Sequence, residues 1–138
     1  MSRDVPRRKT SAEKRRRQVG RQESGSFFAL PHKLMDDDRF LGLTRPALKL
    51  LLDLGRQYNG RNNGDLAAAW KVMKPRRWVS KSTLDLALDE LMAAGLIEKT
   101  RQGGRNQCNL FALAWHPVDE CGGKLDAFVN KAISMRFK

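Results

Sequence analysis

Side chains that could carry out catalysis or hold a metal ion are few and poorly spaced in this chain. Cys108, His116, Cys121 and His32 are of the types that bind zinc, but no Cys-x-x-Cys pair occurs among them. The acidic run at residues 36–38 could attract a divalent cation, but it is more typical of a solvated helix end. Neither a Gly-Lys-Ser/Thr phosphate loop nor a Gly-x-Ser-x-Gly nucleophile turn occurs. We therefore expect a non-enzyme that binds no metal and no cofactor.

Basic side chains are the abundant chemical groups, and they are concentrated at the N-terminus. The 138 residues include 27 Lys and Arg against 15 acids, a net charge of +12. Residues 1–24 hold nine of the basic residues, with three acids and few apolar residues. Such a segment cannot bury enough surface to fold alone, so we expect a disordered arm. Its candidates for binding nucleic acid are Arg7, Arg8, Lys9, Arg15, Arg16 and Arg17.

The arm allows three interpretations. It could follow the phosphates or the minor groove of a DNA duplex, fold as an arginine-rich helix on structured RNA, or act as a solubilising tail. The net charge makes nucleic acid the leading partner. No run approaches the ~18 apolar residues of a membrane span, and no apolar stretch follows the basic N-terminus as in a secretory signal. We expect a cytoplasmic, nucleoid-associated protein.

A second polar and basic group surrounds the predicted start of a helix near residue 80. Ser80 or Ser82 would cap this helix, and Leu84, Leu88 and Leu91 recur at the spacing of one buried face. A capped helix start offers backbone N–H groups and positive potential to phosphate. The candidates for contacting nucleic acid here are Arg76, Arg77, Ser80, Lys81, Ser82, Thr83 and Asp85. The alternative is that the serines only cap the helix and the charged side chains are solvated.

A polar loop with two glycines predicts a β-hairpin. Its strands should cover residues 96–101 and 109–115, and Pro117 should close the second strand. Arg101, Arg105 and Asn106 lie in or beside the loop, where arginine could enter a minor groove. The alternative is an ordinary solvated loop.

Further helices and strands must position the helix start near residue 80 and the hairpin loop. The pattern predicts a strand at residues 26–30, a helix at 31–41, a core helix that Thr44 caps with Pro46 in its first turn, and a helix at 66–73 that Pro75 ends. Trp78 should plug the core, and Gly95 should end the helix after Ser80 in a left-handed conformation. The face of the core helix should comprise Ala47, Leu48, Leu50, Leu51, Leu52, Leu54 and Tyr58.

This order of elements resembles the winged helix-turn-helix of prokaryotic DNA-binding proteins, including small proteins of phages, plasmids and other mobile elements. The residues that carry the resemblance are Val79-Ser80-Lys81-Ser82-Thr83-Leu84, Ala87-Leu88, Leu91 and Gly95-Leu96-Ile97. It covers about residues 26–116. It implies an α+β fold, in which a helical bundle carries a small antiparallel sheet and a hairpin wing, and it implies duplex DNA as the partner.

The resemblance also assigns roles to residues. The helix after Ser80 would be the recognition helix, in which Lys81 could bond guanine and Asp85 could accept a hydrogen bond from cytosine. The chain departs from the family at Leu86, where a polar or basic residue that faces DNA is common. An exposed leucine there could touch a thymine methyl group or mark a protein interface. The turn at residues 74–78 is also longer than usual.

We therefore expect a basic arm at residues 1–24, a winged helix-turn-helix domain at 25–117 and an extension at 118–138. The extension carries a helical apolar stripe that could pack on its own domain, form a homodimer or dock a partner: Leu125, Phe128, Val129, Ala132 and Ile133. The expected function is duplex-DNA binding by a transcriptional regulator or replication accessory of a mobile genetic element. The alternatives are a protein-interaction module that inhibits or docks on a nucleic-acid-handling complex, and RNA binding through the arm.

Overall fold

The structure is a computed structural model that describes residues 25–126. The predictions for the arm, and for the apolar stripe beyond Leu125, lie outside the described residues. In chain order the elements are α1 (His32–Met35), α2 (Asp38–Leu41), α3 (Arg45–Gln57), β1 (Leu66–Ala67), α4 (Trp70–Met73), a 3-10 helix (Lys74–Arg76), α5 (Lys81–Ala93), β2 (Ile97–Arg101), β3 (Leu110–Leu113) and a second 3-10 helix (Cys121–Gly123).

The two long helices, α3 and α5, begin where the sequence predicts. Thr44 caps α3 by accepting a hydrogen bond from the N–H of Ala47, and Pro46 lies in the first turn. Ser80, and not Ser82, caps α5, because its hydroxyl accepts from the N–H of Thr83 at 3.3 Å. These bonds satisfy N–H groups that have no partner within a helix.

The C-terminal end of α5 is closed by the predicted glycine. Gly95 has a φ of +74°, in the left-handed region that glycine adopts without strain. Its N–H donates to the carbonyl of Met92 at 3.0 Å, and the N–H of Leu96 donates to the carbonyl of Leu91 at 3.1 Å. This pair of bonds is the Schellman motif, and it turns the chain directly into β2.

The sheet is antiparallel with the order β1-β3-β2. Two predictions about its first strand are wrong. Residues 26–30 do not form a strand, and the segment predicted as a helix at 66–73 begins instead with β1. Leu66 pairs with Phe111, and the side-chain amide of Gln57 bonds both the N–H and the carbonyl of Ala67 at 2.9 and 2.8 Å. These tertiary bonds override the helix propensity of the alanine-rich segment.

Other predicted bounds also change. The helix expected at 31–41 is two short helices, because Asp37 has an extended ψ of 139° and caps α2 through the N–H of Arg39. The predicted C-terminal bound at residue 73 is confirmed, because α4 stops at Met73, and Pro75 lies within the 3-10 helix that follows. Leu52, expected on the apolar face of α3, is 45% exposed.

A single apolar cluster lies between the helices and the sheet. Helices α3 and α5 pack against each other, and both face the same side of the sheet. The fully buried large side chains of this cluster are Leu34, Leu50, Leu51, Leu54, Leu66, Met73, Leu84, Leu91, Leu96, Phe111 and Leu113. Trp78 is also buried, as the sequence predicts, and so is Trp115.

The opposite side of the sheet is covered by the chain that follows β3. Val118 and Leu125 pack against Ala112, and the N–H of Asp126 donates to the carbonyl of Thr100 at 3.0 Å. The fully buried Asn63 fixes this segment through its amide nitrogen, which lies 3.0 to 3.1 Å from three backbone carbonyl oxygens between residues 113 and 117. The described part of the extension therefore packs on its own domain.

The fold class is α+β, as predicted. The described residues contain five α-helices and a small three-stranded antiparallel sheet. The order α3-β1-α4-α5-β2-β3 is consistent with a winged-helix-like fold, in which β2 and β3 would flank the wing. The boundary at residue 117 and the role of the hairpin as a wing stay predictions. Between residues 25 and 126, no helix is long and apolar enough to cross a membrane.

Candidate nucleic-acid interface

The first turn of α5 presents polar side chains to solvent. Lys81, Ser82 and Thr83 are exposed, whereas Ser80 is half-buried and shares a 2.8 Å hydrogen bond between its hydroxyl and that of Ser82. The backbone N–H groups at this helix start add positive potential. The predicted arrangement of a capped helix start beside an exposed lysine is therefore present.

Beyond its first turn, α5 has an acidic and apolar outward face. Ser82, Asp85, Leu86 and Asp89 are all exposed, and their spacing puts them on one side of the helix. Leu86 is 70% exposed, and Lys81 is the only cation within residues 81–93. Asp89, which sequence analysis did not single out, lies beside Leu86 on this outward face. Attraction for phosphate on α5 is therefore confined to its first turn.

The turn before α5 is basic, as predicted, but its arginines differ in surroundings. Arg77 is exposed in a left-handed conformation, with a φ of +72°. Within residues 25–126 its side chain has no ion pair. Arg76 instead forms an ion pair with Asp53, whose Oδ1 lies 3.0 Å from Nη2. Only Arg77 of these two carries a charge that the described residues leave unneutralised.

Asp53 ties this turn to α3. Its carboxylate accepts hydrogen bonds from Lys49 Nζ at 2.7 Å, from Trp78 Nε1 at 2.8 Å and from Arg76 Nε at 3.1 Å. Burial alone would raise the pKa of Asp53, but these hydrogen bonds together hold the pKa below its ordinary value. Lys49 also donates to the carbonyl of Arg76 at 2.7 Å. Asp53 is therefore ionised at neutral pH and fixes the turn from which α5 starts.

A groove of about 370 Å³ lies between the N-terminal ends of α3 and α5. We call it the α3–α5 groove; its lining residues are Arg45, Pro46, Lys49, Arg77, Trp78, Val79, Ser80 and Thr83. Arg45 is not among the residues predicted from the sequence, although its position in the chain indicates an exposed side chain. A residue that follows the cap and precedes the first buried position, Ala47, faces solvent at a helix start.

The predicted site residues of the hairpin lie at two places, its base and its tip. Arg101 is half-buried, and its guanidinium Nε and Nη2 donate to the carbonyl of Cys108 at 3.2 and 2.9 Å, so it braces the base of the hairpin. Arg105 and Asn106 are exposed at the tip. Both lie within the turn that is closed by the pairing of Gly104 with Gln107. The tip therefore carries one exposed cation that can reach a partner.

The base of the hairpin and the first turns of α5 border the same cavity. The lining residues of this cavity of about 260 Å³ include Lys81 and Asp85 on α5 and Cys108 and Asn109 just before β3. The structure thus brings the α5 candidates beside the hairpin base, as the interface requires. Arg7, Arg8, Lys9, Arg15, Arg16 and Arg17 of the arm lie outside the described residues.

Two of the residues considered as zinc ligands, His116 and Cys108, contact side chains that are not metal ligands in this fold. His116 stacks on Tyr58 with ring centroids 5.0 Å apart, and burial lowers its pKa against the opposing effect of Asp119. Cys108 lies beside Arg101, whose Nη2 is 3.9 Å from the sulfur. Across residues 25–126 no group of three or more His, Cys, Asp or Glu side chains is arranged to hold a metal ion.

Comparisons with known proteins assign no family. No family model matches the chain, and no curated protein matches it. A solved structure of the N-terminal domain of a DNA-binding protein is 19% identical with a TM-score of 0.42, over 69% of this chain and 79% of that chain. At this identity and TM-score, the likeness assigns neither a family nor a function to the chain.

Proposed function

We propose that this chain binds duplex DNA as a transcriptional regulator or replication accessory of a mobile genetic element. The observation that supports it best is the exposed, serine-capped start of α5, with Lys81 in its first turn and Arg77 just before it. A helix start of this kind combines backbone N–H donors, positive potential and short side chains that permit close approach to a groove.

In this proposal the exposed residues divide into two roles. Lys81 reads a guanine and Asp85 accepts from a cytosine, because both face solvent in the first turns of α5. Arg77 and Arg105 contact phosphates or a minor groove on either side. Asp89 is exposed one turn further on and would repel phosphates. The readable part of the helix is therefore its N-terminal half.

The proposal is tested with a duplex selected from random sequence and two double variants of equal charge change. Arg77→Glu with Arg105→Glu reverses the two exposed arginines to which the proposal assigns contacts with phosphates or a minor groove. Lys33→Glu with Arg56→Glu reverses two exposed cations on α1 and at the C-terminal end of α3. We expect the first pair to weaken duplex binding by about tenfold or more and the second by about threefold or less.

Two results would contradict the proposal. One is an equal loss of affinity in both double variants, since net charge and not location would then govern binding. The other is tighter binding of a structured RNA than of any selected duplex, which would favour RNA recognition through the arm.

A second candidate function is a protein-interaction module that docks on a nucleic-acid-handling complex. The outward face of α5 favours it, because a leucine that is 70% exposed between Asp85 and Asp89 is an unusual surface for a major groove. In that case Leu86→Ala would abolish binding to the complex, and Lys81→Ala would leave duplex binding unchanged.

A further inference from the structure

We propose that the α3–α5 groove binds an acidic peptide segment that carries a large apolar side chain, and that this peptide competes with DNA. The groove is lined by apolar surface from Pro46, Trp78 and Val79 and by the cations Arg45, Lys49 and Arg77. No carboxylate is among its lining residues within the described chain. Its volume of about 370 Å³ is in the range of pockets that hold a ligand group.

The exposed side chain of Val79 favours an apolar group in the groove. It is 95% exposed, more than any other large apolar side chain in residues 25–126. In many helices the residue before the cap packs against the fourth residue of the helix, which here is Leu84. Leu84 is buried in the core, and Val79 lies uncovered at the edge of the groove. An apolar side chain that enters the groove would remove this surface from water.

The cations determine the charge of the occupant. Arg45 and Arg77 are exposed and have no ion pair within residues 25–126, while Lys49 is held by Asp53 at 2.7 Å. The positive end of α5 lies at this groove. The start of α3 adds little, because the Glu90 carboxylate accepts hydrogen bonds from the N–H and the hydroxyl of Thr44 at 2.8 and 2.7 Å. Arg45 and Arg77, beside the start of α5, complement a segment with several carboxylates.

Peptide suits the groove better than duplex DNA does. A sugar-phosphate backbone brings negative charge, but it has no large apolar group to bury against Pro46, Trp78 and Val79. A peptide that flanks leucine or phenylalanine with glutamates brings both. The occupant is therefore assigned from the combination of charge and apolar surface.

Competition with DNA rests on the function proposed above. Arg77, Ser80 and Thr83 line the groove and also belong to the proposed duplex surface. A peptide seated in the groove would cover the start of α5, so peptide and duplex could not occupy it together. Binding of such a partner would release the protein from DNA.

The test uses a fluorescein-labelled peptide of about 12 residues, in which six glutamates surround a Leu-Phe pair, and the full-length protein. Val79→Asp and Leu86→Asp form a matched pair, because each replaces an exposed apolar residue with the same acid outside the core. We expect Val79→Asp to weaken peptide binding by about tenfold or more and Leu86→Asp by about twofold or less. Peptides with glutamine for glutamate, or alanine for Leu-Phe, should bind about tenfold more weakly.

The outcomes separate this proposal from the function on which part of it rests. Absence of saturable peptide binding, or equal loss in the two variants, overturns the groove as a peptide site. Peptide binding that leaves a bound duplex in place overturns the competition alone. Peptide binding by a protein that binds no duplex leaves the groove site supported while the proposed function fails. Self-association of the free protein that Val79→Asp abolishes would assign the groove to a second copy and overturn the peptide.

Discussion

At the scale of single residues, Asp53 determines how the turn before α5 is held. Three donors converge on its buried carboxylate. Asparagine would keep one acceptor oxygen but would place an NH2 donor where the other oxygen lies, so it could not accept from the Trp78 indole N–H and both cations together. The side chains of Lys49 and Arg76 are 43% and 46% exposed, so water compensates much of their loss. We expect Asp53→Asn to lower the free energy of unfolding by about 2 kcal/mol at pH 7, measured by urea denaturation.

The same residue gives a pH prediction. The pKa of Asp53 is lower in the folded protein than its ordinary value of 3.8, so ionisation stabilises the fold fully above that value. This stability is lost as the pH falls through the folded pKa. The difference in unfolding free energy between wild type and Asp53→Asn should therefore shrink between pH 5 and pH 2. A difference that stays constant over this range would show that the charge of Asp53 is not the stabilising feature.

A substitution of Arg77 should affect duplex binding without lowering the stability of the fold. Its left-handed backbone, with a φ of +72°, costs a non-glycine residue about 1–2 kcal/mol, and glycine avoids that cost. Arg77→Gly should therefore leave the melting temperature unchanged or higher while duplex affinity falls. Arg76→Gly is the matched control, and it should lower the melting temperature because its guanidinium bonds Asp53. A loss of stability in Arg77→Gly would contradict this account of the turn.

At the scale of elements, the sequence predicts best what neighbouring residues determine. The cap at Thr44, a serine cap for α5 and the left-handed Gly95 follow from local chemistry and are confirmed, and the structure selects Ser80 from the two serines that the sequence offers. Strand β1 depends on Gln57 and on pairing with β3, more than forty residues away along the chain. The alanine-rich composition of that segment favours a helix, so local patterns predict the wrong element there.

The junction between α5 and β2 can be tested with two glycines. Gly95 has a positive φ and open space where a Cβ would lie, so alanine there meets only backbone strain. Gly95→Ala should lower the free energy of unfolding by about 1–2 kcal/mol. Gly104→Ala is the control, since its surroundings are equally open and its φ is not positive. Equal effects of the two substitutions in urea denaturation would contradict the assigned role of Gly95.

At the scale of the whole molecule, the candidate interface was only partly predictable. The helical period alone puts Lys81, Ser82 and Asp85 on an exposed face, and the structure agrees. The ion pair between Arg76 and Asp53 spans 23 residues and arises only when the turn packs on α3. The α3–α5 groove likewise exists only because two helix starts distant in the chain come together.

The arm contributes a prediction about salt. If the arm, the turn and the hairpin together contact about six to ten phosphates, duplex affinity should fall roughly 10³–10⁵-fold between 50 and 200 mM salt. Deletion of residues 1–24 removes nine cations and should flatten this dependence while the preferred sequence stays the same. Titrations of both proteins over that salt range measure the slopes. Identical slopes would exclude the arm as a contact to phosphates.

The most direct measurement of the central claim compares Lys81→Ala with wild type on a selected duplex and on a scrambled one. Lys81 is exposed in the first turn of α5, where base edges are within reach. Lys33→Ala, at another exposed lysine, controls for the loss of one charge. We predict that Lys81→Ala costs about 1–3 kcal/mol on the selected duplex, roughly 5- to 150-fold in affinity, and far less on the scrambled one. Equal losses on the two duplexes, or no loss on either, would contradict sequence reading by α5.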